Sequence, residues 1–132
     1  MIKFTIPGPP PRATAQMKKV RVVCGHPQFY MPDNVAQARD YLKAGVMRHA
    51  PSAPLEGAVE LKVCWFFKAQ RKKDDGVWKI TRPDTDNLMK MLKDTMTEAG
   101  YWLDDAQVAR ETSMKAWAIE PGITIEVRRL DE

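Results

Sequence analysis

The sequence predicts an α+β fold: a single small domain in which two main helices pack on a mixed, mostly antiparallel sheet. Several short segments alternate apolar and polar residues with a period of two, and two longer segments repeat apolar residues at helical spacing. The two kinds form mixed runs and do not alternate strictly, which favours α+β over a doubly wound sheet. The 132 residues show no internal repeat and no composition break, so one domain over residues 1–132 is expected.

Ile2, Phe4 and Ile6 alternate with Lys3 and Thr5 as a half-buried strand. Gly8-Pro9-Pro10-Pro11 ends it, because proline lacks an N–H and has a fixed φ. Residues 18–24 are β-branched and basic and predict a second strand; a turn at Gly25-His26-Pro27 lets residues 28–31 return as a hairpin. Asp33 follows Pro32 and can cap a helix by accepting from free backbone N–H groups. Val35, Ala38, Leu42, Val46 and His49 then recur at helical spacing, and residues 50–54 form a linker. Val59, Leu61, Val63, Trp65 and Phe67 mark the strongest strand, which leaves Phe66 as the aromatic residue of that stretch facing outward. Residues 68–83 form a basic loop around the Asp75-Gly76 turn. A helix over 86–99 presents Leu88, Leu92 and Met96, and Gly100 is its left-handed stop. Tyr101 and Trp102 pack the turn that follows. Strands over 108–118 and around Ile123, Ile125 and Val127, joined through Pro121-Gly122, complete the order.

Composition excludes several classes. Apolar residues at 44% and charged residues at 29% argue against wholesale disorder. The run Val63 to Phe67 is too short to span a bilayer, and the N-terminus lacks the apolar core of a signal peptide, so no membrane partner is expected. Cys24 and Cys64 are expected to be reduced thiols; without a CxxC pair, and with only His26 and His49, a zinc finger is excluded.

Charge is segregated along the chain. Residues 1–32 carry Lys3, Arg12, Lys18, Lys19 and Arg21 and no acid. Residues 66–83 carry Lys68, Arg71, Lys72, Lys73, Lys79 and Arg82 against Asp74 and Asp75. Residues 84–105 reverse the sign, with Asp84, Asp86, Asp94, Glu98, Asp104 and Asp105 against Lys90 and Lys93. Such runs suit a solvated surface, or a basic groove around an acidic pocket that neutralises phosphates. Carboxylates beside phosphate need a divalent cation between them.

Arg82-Pro83-Asp84-Thr85-Asp86-Asn87-Leu88-Met89-Lys90 is the informative segment. Asp84 and Asp86 point the same way in an extended lead-in, where a hard cation can relieve their repulsion. Lys90 rises four residues after Asp86 from the same helix face. The plainer alternative makes one aspartate the N-cap and Lys90 an ion-pair partner. Asp104 and Asp105 follow the glycine stop, and a chain folding back there could bring one of them to the first pair. Acids from two segments would then resemble the carboxylate sets of metal-dependent nucleases.

The run from Arg82 through Asp84, Asp86, Asn87, Lys90, Asp94 and Gly100-Tyr101-Trp102-Leu103-Asp104-Asp105-Ala106-Gln107-Val108 to Lys115 closely resembles the signature of the RusA family of Holliday junction resolvases. Gly8-Pro9-Pro10-Pro11-Arg12 resembles that family's N-terminal loop, although Arg12-Ala13-Thr14-Ala15 is less basic than the family pattern. The resemblance implies a homodimeric, Mg²⁺-dependent endonuclease, with Mn²⁺ as a substitute, making paired nicks across four-way junction DNA. It implies Asp84, Asp86 and Asp105 as catalytic metal ligands and Lys90 as the catalytic lysine. Asn87, Asp94 and Asp104 match as secondary positions; Lys115 either faces the acids or is solvated. Arg12, Lys18, Lys19, Arg21, Lys68, Arg71, Lys72, Lys73 and Arg82 are the candidate phosphate contacts. A cytoplasmic protein, bacterial or phage-encoded, is implied. The rivals are a non-catalytic branched-DNA-binding module and a nuclease for flaps or forks.

Overall fold

Alternation along Ile2–Pro7 (β1) buries Phe4 and Ile6 and leaves Lys3 and Thr5 outside. The computed structural model describes residues 1–13, 19–23, 26–30 and 33–131. Lys19–Val23 (β2) and His26–Tyr30 (β3) pair antiparallel as a separate two-stranded sheet. Lys18 and Cys24 lie outside the described residues. Asp33–Met47 (α1) turns Val35, Leu42 and Val46 fully inward, as the spacing predicts. Gly45 lets it approach β1 closely: a Cβ there would lie 2.7 Å from Ile6 Cδ1.

Val59–Lys68 (β4) buries Leu61, Val63, Trp65 and Phe67, while Lys62 and Lys68 are exposed and Cys64 and Phe66 half-buried. Thr85–Glu98 (α2) begins one residue before the expected start. Met89 and Met91 are buried beside Leu88, Leu92 and Met96, so α2 buries a broader face than its leucine stripe suggests. It stops at Gly100, whose φ is +88°; the Tyr101 N–H donates to Met96 O at 3.1 Å, closing the last turn. Tyr101 and Trp102 are buried in the following turn, where the Tyr101 hydroxyl donates to Val46 O (2.5 Å) and Trp102 Nε1 to Thr97 Oγ1 (2.7 Å).

Val108–Ala118 (β5) and Gly122–Arg129 (β6) complete a four-stranded sheet ordered β1-β6-β4-β5. β6 pairs antiparallel with β1 and with β4, whereas β4 and β5 are parallel. A parallel pair needs a crossover, and the segment containing α2 supplies it. The predicted α+β architecture is therefore the observed one. The register sets Trp65 opposite Lys115, which puts the Lys115 side chain on the core-facing side of an edge strand. On the opposite face, buried Glu60 accepts from Arg128 Nε at 2.7 Å, an interaction that holds its carboxyl below the usual carboxylate range. No described helix is long and apolar enough to cross a membrane.

Candidate active site

Asp84 is extended (φ −76°, ψ 147°) and stands at the N-cap of α2, yet its side chain makes no capping hydrogen bond. The plainer alternative of a structural cap is therefore not realised at Asp84. Asp86 lies in the first turn, and Asp84, Asp86 and Lys90 are exposed. Among the described residues, none of the three enters an ion pair within the fold. Two uncommitted carboxylates thus stand at a helix N-terminus, the second of them, Asp86, one turn before an uncommitted lysine. Asn87 is half-buried beside them.

The backbone leading into Asp84 is held from beneath. Lys115 Nζ donates to Thr81 O at 2.6 Å and to Pro83 O at 2.7 Å. Of the two alternatives left open for Lys115, it faces the aspartate loop. Lys79 is 6% exposed, with its ammonium 4.3 Å from the Trp117 ring centroid and 5.0 Å from that of Phe67, and it donates to the Thr81 hydroxyl. Burial pushes the Lys79 ammonium below the ordinary lysine range, and the charges of Lys115 and Arg12 add to the effect. Arg12, on the proline-rich loop, thus lies in the same electropositive neighbourhood.

Lys79 is the residue that sequence reasoning missed. Its segment joins the edge of β5 through Gly76 N to Trp117 O (2.8 Å), Trp117 N to Val77 O (2.9 Å) and Lys79 N to Lys115 O (3.1 Å). The available signal was the short Val77-Trp78-Lys79-Ile80 alternation. Lys79 turns inward while Trp78 and Ile80 are exposed.

Asp104 and Asp105 sit elsewhere. They share a surface depression with Asp94, Thr97 and Glu98 at the last turns of α2. The 14 residues of α2 make about 20 Å of helix between the two aspartate pairs. The strand gives the same measure: Val108 to Lys115 spans about 23 Å before reaching Pro83. The expected return of the chain therefore does not unite the two pairs within one protomer. Among the described residues, no group of three His, Cys, Asp or Glu side chains is placed to hold a metal ion. Asp104 caps a single 3₁₀ turn, Asp105–Gln107, by accepting from Ala106 N at 2.8 Å. Gln107 locks that turn by accepting from Leu103 N and donating to Leu55 O and Gly57 O. Asp105 is left exposed.

Mg²⁺ takes one or two carboxylates and fills its remaining positions with water and phosphate oxygens. Asp84 and Asp86 suit that demand as a half-site; within one protomer Asp105 does not join them.

The candidate phosphate contacts separate by their engagement. Lys68 donates to Ile119 O (2.6 Å) and Arg71 pairs with Asp74 (3.1 Å). Arg12, Lys72, Lys73 and Arg82 are exposed and enter no ion pair among the described residues. Lys19 and Arg21 lie on β2, whose side chains are outside the described set, as is Lys18. Half-buried Phe66 is the more accessible aromatic of its strand, while Trp65 and Phe67 belong to the core. His49 stacks on Phe4 with ring centroids 4.4 Å apart.

Comparison with known proteins identifies the family. The family described as Endodeoxyribonuclease RusA matches residues 7–128. The chain belongs to the RusA family. A crossover junction endodeoxyribonuclease rusA of Lactococcus phage r1t is 38% identical over 116 residues, covering 86% of this chain and 87% of that protein. The RusA protein of Escherichia coli strain K12 is 63% identical over 27 residues, 20% of this chain and 22% of its own. An uncharacterized protein, YqaN, of Bacillus subtilis strain 168 is 26% identical over 145 residues, covering 98% of this chain and 96% of its own. RusA membership spans both the proline-rich loop carrying Arg12 and the two aspartate pairs.

Proposed function

We propose that this chain, as one endonuclease domain, is a Mg²⁺-dependent structure-specific DNA endonuclease that resolves Holliday junctions by paired symmetric nicks. Family membership supports the class. The observation that carries the chemistry is the pair of exposed carboxylates, Asp84 uncapped at the start of α2 and Asp86 one turn before Lys90.

Asp84 and Asp86 would hold Mg²⁺ or Mn²⁺. Bound there, the ion would polarise the scissile phosphate and lower the pKa of the attacking water. Lys90 stands on the same side of α2 as Asp86 and would meet a phosphate oxygen, stabilising the charge that builds in the transition state. Arg12, Lys72, Lys73 and Arg82 would neutralise neighbouring phosphates. Asn87 would orient the first aspartate pair, while Asp94 and Asp104 would support the turn that presents Asp105.

The 20 Å length of α2 shapes the assembly. A set containing Asp84, Asp86 and Asp105 forms if two protomers pair so that the first two meet Asp105 of the partner subunit. A two-fold homodimer then carries two identical sites, matching two symmetric cuts. The phage relative supports a bacterial or phage-encoded protein acting in the cytoplasm.

The test is a substrate panel of four-way junction, flap, fork and duplex, with wild type and Asp84→Asn. Wild type should cut the junction selectively; the variant should bind it and not cut. Preferred cutting of flaps or forks would reassign the substrate. Binding without cutting by wild type would favour the non-catalytic module.

A further inference from the structure

Lys115 and Lys79 are two ammonium groups planted under one short stretch of backbone. Lys115 Nζ grips carbonyls two residues apart, those of Thr81 and Pro83, at 2.6 and 2.7 Å. Capturing both with one ammonium curves the chain around Nζ and fixes where the next residue, Asp84, leaves the loop. Lysine has three donors, so two can serve these carbonyls. Lys79 takes the Thr81 hydroxyl, and its own N–H is pinned to Lys115 O at 3.1 Å. Both anchors thus rest on β5, and Lys115 stands opposite Trp65 of β4.

Neither lysine meets a carboxylate within ion-pair distance among the described residues. A buried ammonium without a counter-ion is normally disfavoured. Here Lys79 is buried and Lys115 half-buried, both beneath a loop that ends in uncommitted acids. A lysine serving solubility alone would extend into water; Lys79 instead lies over two aromatic rings.

We propose that Lys115, assisted by Lys79, is a positioning residue that holds Asp84 where its carboxylate can receive a divalent cation together with Asp86. The inference rests on the endonuclease reading for its biological meaning. Its test does not, because cation binding can be read without DNA.

The experiment is Mn²⁺ titration of the free protein by electron paramagnetic resonance, followed by Mg²⁺ titration of junction cutting. Lys115→Met keeps the stem and removes the donors. Loss of such supporting contacts typically weakens metal binding by about 10–100-fold. Lys115→Met should therefore weaken Mn²⁺ at least about tenfold. It should raise the Mg²⁺ needed for half-maximal cutting by a similar factor, with metal-free junction binding unchanged. Lys115→Arg, which can also donate to both carbonyls, should restore most of the affinity. Thr81→Ala removes only the exposed acceptor used by Lys79 and should shift Mn²⁺ affinity in the same direction by a smaller factor. This second variant decides the matter if Lys115→Met does not fold. Wild-type Mn²⁺ affinity in a folded Lys115→Met protein, or in Thr81→Ala if it alone folds, would overturn the proposal. So would a Lys115→Met protein that loses stability and activity together at an unchanged Mg²⁺ requirement. Failure of wild type to cut any junction, with the Mn²⁺ pattern intact, would instead overturn the endonuclease reading.

Discussion

Asp84→Asn and Asp105→Asn should each be inactive alone and regain nicking when mixed. Within one protomer the two residues are separated by the 14-residue α2, about 20 Å of helix, whereas ligands of one Mg²⁺ lie about 2 Å from it. If the sites form across a two-fold interface, a mixed dimer has one site carrying both substitutions and one carrying neither. Random exchange of equal amounts makes about half the dimers mixed, so about a quarter of the wild-type sites return. The assay is cutting of a four-way junction by each variant and by the exchanged mixture, read on a denaturing gel. The mixture should nick one strand per junction without the paired second nick, because each mixed dimer has a single intact site. Background cutting by a mixture in which co-purification of differently tagged protomers proves exchange would refute the shared-site reasoning.

Other outcomes follow from the fold. Gly100→Ala should destabilise by about 1–2 kcal/mol in chemical denaturation, because φ is +88° while nothing lies within 4 Å of an added Cβ. Tyr101→Phe removes the buried hydroxyl donated to Val46 O and should cost about 1 kcal/mol on the same assay. Glu60 has its carboxyl held low by Arg128, so its stabilising effect is present above the ordinary carboxylate range and lost as pH falls through the lowered value. Urea midpoints of wild type and Glu60→Gln should differ at neutral pH and converge in acid.

Much of the architecture was legible because its signals are local. The alternation of Val59 to Phe67 required a strand buried on one face, and Gly100 marked a stop that only a residue tolerant of positive φ makes easily. Asp84 and Asp86 were visible as a pair at a helix start. Placing Asp105 beside them overlooked a length available in the sequence: a residue five positions beyond the helix stop cannot readily return along 20 Å of helix. Lys115 was different. Its direction depends on the parallel register of β5 against β4, where it faces Trp65, and no local pattern encodes that pairing. Lys79 lay in what reads as a polar loop, and only addition of its backbone to the β5 edge turns it inward.

The most direct test is incubation of the wild-type protein with a mobile four-way junction and with matching linear duplex, in Mg²⁺ and in EDTA, with products mapped to the nucleotide. Symmetric nicks in two opposing strands, confined to the junction and to Mg²⁺, are the predicted result. Junction binding with no nick in Mg²⁺ or Mn²⁺, or cutting that persists in EDTA, would contradict it.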